Sequence, residues 1–478
     1  MSLIDTYPEV FTALKKIVPT SLQIYLVGGA VRDVLLGRKI NDFDFVAEGL
    51  VRPIGKELAD VLDGKYYVLD EDRNMVRVIV HAGQPNCYNV DIAEFNGDNL
   101  KSDLEVRDFT INAIAIEFMN GQRIVDPLGG VVDLHDKKLC MCSLNSLQLD
   151  PLRALRAIRM ACEFSLQMDV ALVEEMKKMA PMLANCSMER CRDEFFKILN
   201  VGKITVSLEL LEKFGFLPYL LSAAEKGENP RMTAHLRSLE LLLKLTTAAF
   251  DEKISDNLLA GLAVLKLGSY REELKAHFDD EGSLTHPRRN FLTYAVCALE
   301  YHPDAGMSDF ELVQKRSKKL ILSTEEINLC VKAVQAWKQL EARGVKEKIT
   351  DLEIHRYFRK FDQNGIYGIL IYLAEVLSEE DIDTQSDLWE NTLDQAAKML
   401  DAWFRRYSEI VKPEKLIDGT EISEIFNIAS GPRIGKMKQM AEEAQVQGLI
   451  HTRDEAVDYL KNHLDELDKL PAEKTGTI

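Results

Sequence analysis

Basic charge is what this 478-residue chain is short of: Lys and Arg number 59 against 77 Asp and Glu, a formal charge of −18. A chain-wide cationic surface is therefore excluded as the means of holding a polyanion, and any such contact must come from local basic clusters. Long apolar runs are missing too, and the first residues, MSLIDTYPEV, lack a cationic stretch leading into an apolar one. Neither a membrane span nor a secretory leader is expected, and a soluble, cytoplasmic protein is. Cysteine is present eight times but scattered, with no CxxC answered by a second pair at zinc spacing, so reduced and mostly buried thiols are expected. Internal repeats are absent, and the only low-complexity stretch is the polar end at 471–478. What remains is ordinary globular composition, 46% apolar and 28% charged, in a chain long enough for about three domains.

Between about residues 22 and 126, β-branched and aromatic runs recur at LQIYLVGG, YYVLDED, MVRVIVHA, CYNVDIAEF and NAIAIEF, broken by Gly, Asn and Asp. One helix, AVRDVLLG, lies between the first two and closes on a Gly suited to a helix C-terminus. That pattern predicts a small mixed sheet with helices. From Asp150 onward the periodicity is helical almost without interruption, as in PLRALRAIRMACEF, VALVEEMKKMA, RCRDEFFKIL and HLRSLELLLKL. Weak breaks fall at 225–230, 282–287, 344–348 and 419–435, and the final IGKMKQMAEEAQVQGLI with TRDEAVDYLKNHL reads as a compact amphipathic module. The class is α+β, divided into a head over 1–149, a helical neck over 150–225, a helical body over 226–418 and a tail over 419–478.

The most informative stretch is LVGGAVRDVLLGRKINDFDFV. A strand ends in Gly28-Gly29, where backbone amides can approach a triphosphate closely, and the helix that follows points its positive end the same way. Asp42 and Asp44 flank Phe43 in the next strand, so a two-residue period puts both carboxylates on one side and the ring in the core. Two carboxylates so placed repel unless a cation neutralises them, and hard oxygen ligands select Mg²⁺. Alone, an Asp-x-Asp is more often a solvated turn or helix cap, but the glycine turn just upstream favours the metal reading. Asp91, in the apolar YNVDIAEF strand, is the candidate third catalytic carboxylate, with a solvent-facing strand aspartate as the bland alternative.

These residues resemble the bacterial and eukaryotic class (class II) of tRNA nucleotidyltransferases and poly(A) polymerases, within the DNA polymerase β superfamily. RDFTINAIA at 107–115, DPLGGVVDL at 126–134 and DPLRALRAIRMA at 150–161 follow in the family's order, and GPRIGKMKQMAEEAQVQGLI is similar to its tail module. The resemblance implies a polymerase-β-like catalytic head, a base-recognising neck, a body with a degenerate HD-type region and a tRNA-binding tail. It further implies template-independent addition of C or A, or both, from CTP and ATP to a tRNA 3′ end, with Asp42 and Asp44 holding two Mg²⁺ ions and pyrophosphate released. No membrane and no obligate protein partner are implied. Gly28, Gly29, Arg32, Arg107 and Asn112 would serve nucleotide and phosphate binding, although Arg32-Asp33 is equally readable as a structural ion pair.

Asp150 and Arg153, three apart at a helix start, present an acceptor and a fork of donors that can read cytosine and adenine while rejecting G and U. A helix cap, with Asp150 before Pro151, is compatible with that role. Arg156 and Arg159 continue the same face as further base-recognition candidates, or are merely solvated. The chain departs from the family in three places. Val106 and Leu149 stand where an Arg and a Glu are expected, and Arg107 follows Asp91 after only 16 positions, whereas full CCA-adding members carry a longer flexible segment tied to the switch from CTP to ATP. The short segment points to a specialised enzyme, with C favoured over A.

In the body, His235 has no His-Asp partner in the later LAGLAVLKLG region, so no phosphohydrolase is expected. RNA contacts are sought in 286–289, 315–319 and 355–360, each more simply a solvated helix face, and in Arg433, Lys436 and Lys438 of the tail. Two alternatives stand beside the leading reading: a poly(A) polymerase acting on RNA 3′ ends with ATP, and an inactive RNA-binding scaffold, against which the retained carboxylates argue.

Overall fold

A computed structural model describes residues 7–464 except 85, 118, 120, 122, 224–228, 245–257, 303–305, 346, 380–385 and 430. It divides into two compact units, Met1–Leu220 and Leu221–Ile478. The first is built on a sheet of β1 (Ile24–Val27), β2 (Asp42–Ala47), β3 (Lys65–Asp70), β4 (Met75–Val80), β5 (Tyr88–Glu94), β6 (Ala115–Glu117) and β7 (Arg123–Val125), in the order β3-β4-β5-β2-β1-β6-β7. Every neighbouring pair is antiparallel except β2 with β5. The expected runs thus all form strands, and the α+β order of mixed sheet followed by helices holds.

Alternation decides which residues face the chemistry. Ile24, Leu26, Phe43, Phe45, Val76, Val78, Val80, Val90 and Ile92 enter one core with the helices Pro8–Ile17 and Val51–Val61, while Tyr25, Val27 and Val46 enter a smaller core on the opposite face with Leu100 and Leu104. Asp42 and Asp44 therefore lie on the face away from Phe43 and Phe45. Phe43 meets Tyr7 edge-on at 5.1 Å and Phe11 at 6.2 Å, and Phe45 meets Phe11 at 6.1 Å. Burying two such rings contributes roughly 4–6 kcal/mol, and a slip of one residue would exchange them for carboxylates, so register and metal face are specified together.

The helix Val51–Val61 was hidden in the sequence by Pro53 and Gly55. Pro53 falls in the first turn, where its missing N–H costs nothing, and a Cβ on Gly55 would come within 2.6 Å of Val76 Cγ2, so the glycine admits the helix onto β4. Beyond the sheet, the helix Leu152–Phe164 turns its apolar residues inward and leaves Arg153, Arg156, Arg159 and Glu163 along one half-buried stripe.

The second unit is helical throughout its described residues. At its centre the helices Thr324–Arg343 and Asn364–Leu377 pack so closely that a Cβ on Gly368 would lie 2.6 Å from Ala336 Cβ. Here the expectation of solvated basic faces holds for Lys315, Lys318, Lys319 and Lys360, which are exposed, and fails for the cations between them. Arg316 is 1% exposed and donates to the carbonyls of Ala298 and His302, both at 2.9 Å; His355 is buried against the Ile410 carbonyl; Arg288 and Arg289 pair with Asp280 and Asp279. Arg356 and Arg359 both bind Glu443. These cations hold the body together. Helices Gly419–Phe426, Pro432–Val446 and Arg453–Asn462 share a core of Ile422, Met437, Ala441 and Leu460. No helix among the described residues is long and apolar enough to cross a membrane, and all eight cysteines are free.

Candidate active site

The glycine turn, the Asp pair and Arg107 converge. Gly28 has φ +75°, and a Cβ placed on it would sit 3.2 Å from Arg107 Nη1 and 3.3 Å from Asp44 Oδ2. Any side chain there would part the guanidinium from the carboxylate and strain the backbone. A Cβ on Gly29 would meet Arg32 Nη2 at 3.3 Å.

Asp42 is exposed and accepts from Asn89 Nδ2 at 2.8 Å, its register partner on β5. Asp44 is paired in register with Asp91. Burial, then the Asp91 charge, push the Asp44 carboxyl up to about 6; Arg107 opposes this, Asp42 adds to it and Arg77 opposes it. Asp44 thus sits in a place that favours added positive charge. Asp91 is 7% exposed, and both its oxygens accept from Arg77, each at 2.7 Å. No group of three or more His, Cys, Asp or Glu side chains among the described residues is arranged to hold a metal by itself. Two carboxylates on one strand face, completed by substrate phosphates, are the donor set that suits Mg²⁺.

A network of arginines surrounds this centre. Arg107 Nε and Nη2 donate to Asp103 Oδ2 at 3.1 and 2.9 Å, which leaves Nη1 directed at Gly28. Arg32, 7% exposed, donates to Asn112 at 2.6 Å, pairs with Asp33 at 2.9 Å and lies over the Phe164 ring at 4.3 Å. Asn112 donates to Asp108, which in turn pairs with Arg156 at 2.8 Å. Of the phosphate candidates, then, Gly28 and Arg107 meet at Asp44, while Arg32 and Asn112 bind each other.

The base-recognition candidates divide likewise. Asp150 accepts from the Leu152 amide at 3.3 Å, the cap the sequence suggested, and from Arg190 Nη2 at 2.8 Å. Arg153 does not pair with it: Nη1 donates to Ser146 Oγ at 2.8 Å and to the Arg107 carbonyl at 3.1 Å, and Nη2 to the Val106 carbonyl at 2.8 Å. Arg159 is held by Glu194 at 2.6 Å and Glu163 at 3.2 Å. Arg433, Lys436 and Lys438 lie on the helix Pro432–Val446 of the second unit.

Sequence reasoning missed Asn89, Arg77, Asp103 and Arg190. Asp103 stands four before Arg107, a pairing legible on a helix. The other three depend on strand register and helix packing, which no local pattern reveals. The DPLGG segment acts on the backbone around it, since Asp126 accepts from the amides of Gly130 and Val131 at 2.8 and 2.9 Å, and a Cβ on Gly130 would fall 2.0 Å from the Thr110 carbonyl oxygen.

Two family models match, the Poly A polymerase head domain over residues 24–140 and the probable RNA and SrmB-binding site of polymerase A over 165–227. The chain is 26% identical over 436 residues to a CC-adding tRNA nucleotidyltransferase of Geobacter sulfurreducens, covering 91% of both chains. It is 27% identical over 454 residues to an A-adding tRNA nucleotidyltransferase of Deinococcus radiodurans, covering 92% of this chain and 95% of that one. In fold it is similar to the Thermotoga maritima CCA-adding enzyme complexed with tRNA, with a TM-score of 0.62, 20% identity, and coverage of 96% and 95%. With its Asp pair at a glycine turn, the head over residues 24–140 is a Poly A polymerase head domain, and the chain is similar along nearly its whole length to tRNA nucleotidyltransferases.

Proposed function

We propose that the protein is a template-independent tRNA 3′-end nucleotidyltransferase that adds C residues from CTP and adds the terminal A poorly. The observation that carries the chemistry is the meeting of Asp44 Oδ2 and Arg107 Nη1 at Gly28. Asp42 and Asp44 hold Mg²⁺, which when bound activates the RNA 3′-hydroxyl and offsets the charge of the triphosphate. The Gly28 turn lets the phosphates come close, and Arg107 Nη1, the nitrogen Asp103 leaves unengaged, donates to them. Attack in line on the α-phosphate releases pyrophosphate. Arg77 holds the Asp91 carboxylate, so Asp91 shapes the charge at Asp44 from the neighbouring strand.

Asp150 reads the base amine through lone pairs beyond the two engaged by Arg190 and Leu152, and Arg153 donates through Nε and the Nη2 hydrogen that the Val106 carbonyl does not take. The preference for C rests on the short segment after β5. Asn99 and Ser102 form a reciprocal cap on the helix Leu100–Glu105, Leu100 and Leu104 are buried, and Asp103 accepts from the Asn96 amide at 3.0 Å while holding Arg107. A segment so tied is a fixed wall of the nucleotide site, unable to resize it for a second base. The relatives include both a CC-adding and an A-adding enzyme, so the preference for C rests on this segment.

The test is to incubate the purified protein with tRNA transcripts ending at the discriminator base, in C and in CC, each with one labelled nucleotide at a time. Efficient CTP use on the first two and weak ATP use on the third is expected. Synthesis of complete CCA at equal efficiency would remove the C preference, and long A tracts on unrelated RNA would reassign the protein as a poly(A) polymerase.

A further inference from the structure

The second unit has a cavity of about 320 Å³ that the nucleotide chemistry does not use, lined among others by Arg231, Leu299, Glu300, Asp309, Trp337 and Lys338. Its charges are unequally committed. Arg231 is taken by Glu375 at 3.1 Å, with its Nε a further 3.9 Å from Glu300 Oε1. Lys338 is taken by Glu341 at 2.7 Å while also lying 4.3 Å over the Trp337 ring. Glu375 accepts in addition from Trp337 Nε1 at 2.6 Å. The carboxylates that line the cavity each keep an oxygen without a donor, Glu300 because both its partners meet Oε1. Glu300, 9% exposed, is hydrogen-bonded through Oε1 to His235 Nδ1 at 3.0 Å, while His235 Nε2 meets the Ile371 carbonyl at 3.0 Å, and the buried Glu300 Oε2 has no hydrogen-bond partner. Asp309, exposed at the first turn of the helix Asp309–Lys319, makes no side-chain hydrogen bond or ion pair among the described residues.

A buried carboxylate oxygen without a donor is costly, more so when charged, and is a place for a ligand that brings one. With Arg231 and Lys338 both paired, the acceptors left without a donor are Glu300 Oε2 and Asp309, and Leu299 and Trp337 line the same cavity. We propose that this cavity binds a linear aliphatic diamine or polyamine, with one ammonium donating to Glu300 Oε2, the methylenes along Leu299 and Trp337, and a second ammonium against Asp309. The site is built on helix residues of one unit and needs neither metal nor RNA.

The test is calorimetric titration of the full chain with 1,4-diaminobutane, with butylamine and matched potassium chloride as controls. Saturable binding of one diamine per chain, at least about tenfold tighter than butylamine, is expected, since the second ammonium adds a charge contact. Glu300→Gln keeps the size and the His235 contact and should weaken diamine binding at least about tenfold. Asp309→Asn, an exposed change that keeps the size at the helix start, should reduce the diamine to the butylamine level. Heat no greater than that of matched salt, or diamine binding unchanged in Asp309→Asn and in a Glu300→Gln protein of native circular dichroism, would overturn the site. Titration is done without RNA or nucleotide, so failure here leaves the nucleotidyltransferase reading intact.

Discussion

Arginine is used differently in the two units. In the head, Arg107 gives two of its nitrogens to Asp103 and aims the third at the glycine turn, so that a structural ion pair and an open donor coexist on one side chain. In the body, Arg316 donates to two carbonyls from a position 1% exposed, and Arg356 and Arg359 close on one glutamate. Both units are acidic in overall composition, with their arginines set among more numerous carboxylates. Only the first keeps a donor directed at a carboxylate pair and a backbone turn. In an acidic chain a cluster of cations is thus as readily internal mortar as an RNA contact, and the deciding quantity is how many donors are left after the carboxylates and carbonyls nearby are satisfied.

The largest effect that could break this contrast concerns the carboxylates. Asp42→Ala or Asp44→Ala should lower the rate of addition by several orders of magnitude with tRNA affinity nearly unchanged, because the loss falls on the transition state. A variant keeping more than about a tenth of wild-type kcat would remove the metal assignment. Next comes Arg316→Met, which leaves two buried carbonyls without a donor. Equilibrium denaturation should show a loss of about 3 kcal/mol, with tRNA affinity of the folded fraction unaltered. Weakened tRNA binding in a protein of full stability would return Arg316 to the RNA surface.

Arg153→Ala should relax base choice and reduce incorporation of CTP and ATP alike, each by about one to two powers of ten, as charged hydrogen bonds worth about 1.5–3 kcal/mol disappear. Single-turnover rates with all four nucleotides measure this, and unchanged rejection of UTP and GTP would place base reading elsewhere. The smallest effect is expected from the tail. Replacing Arg433, Lys436 and Lys438 together by Ala should weaken tRNA binding a few-fold and flatten its salt dependence without altering kcat on saturating tRNA. An unchanged salt slope would mean that these side chains are engaged within the protein, as those of the body are.

The head was legible where chemistry is local. The glycine turn, the alternation of Asp42, Phe43 and Asp44, and the cap at Asp150 are consequences of spacing, and each appears in the structure at its expected place. The partners were not legible. Arg77 reaches Asp91 through antiparallel pairing of β4 and β5, and Arg190 reaches Asp150 through helix packing, so both depend on contacts between segments that the sequence does not order. The helix at Val51–Val61 was obscured by a proline and a glycine whose reasons are positional. Within the basic runs of the body the exposed lysines are where expected, whereas Arg316 and His355 are buried, because local composition reports charge and says nothing of which carbonyls lie above it.

The wide separation of these partners has a consequence for synthesis. Arg32 and Asn112 are 80 positions apart, Arg153 and the Val106 carbonyl 47, and Asp150 and Arg190 40. A ribosome that has released only the glycine turn and the Asp pair has delivered carboxylates with no Arg107 to face them and no Arg190 to steady Asp150. The first helix after Asp150 and the one carrying Arg190 must both emerge before these contacts of the head can close, so the network is assembled from the whole first unit and from no shorter piece of it.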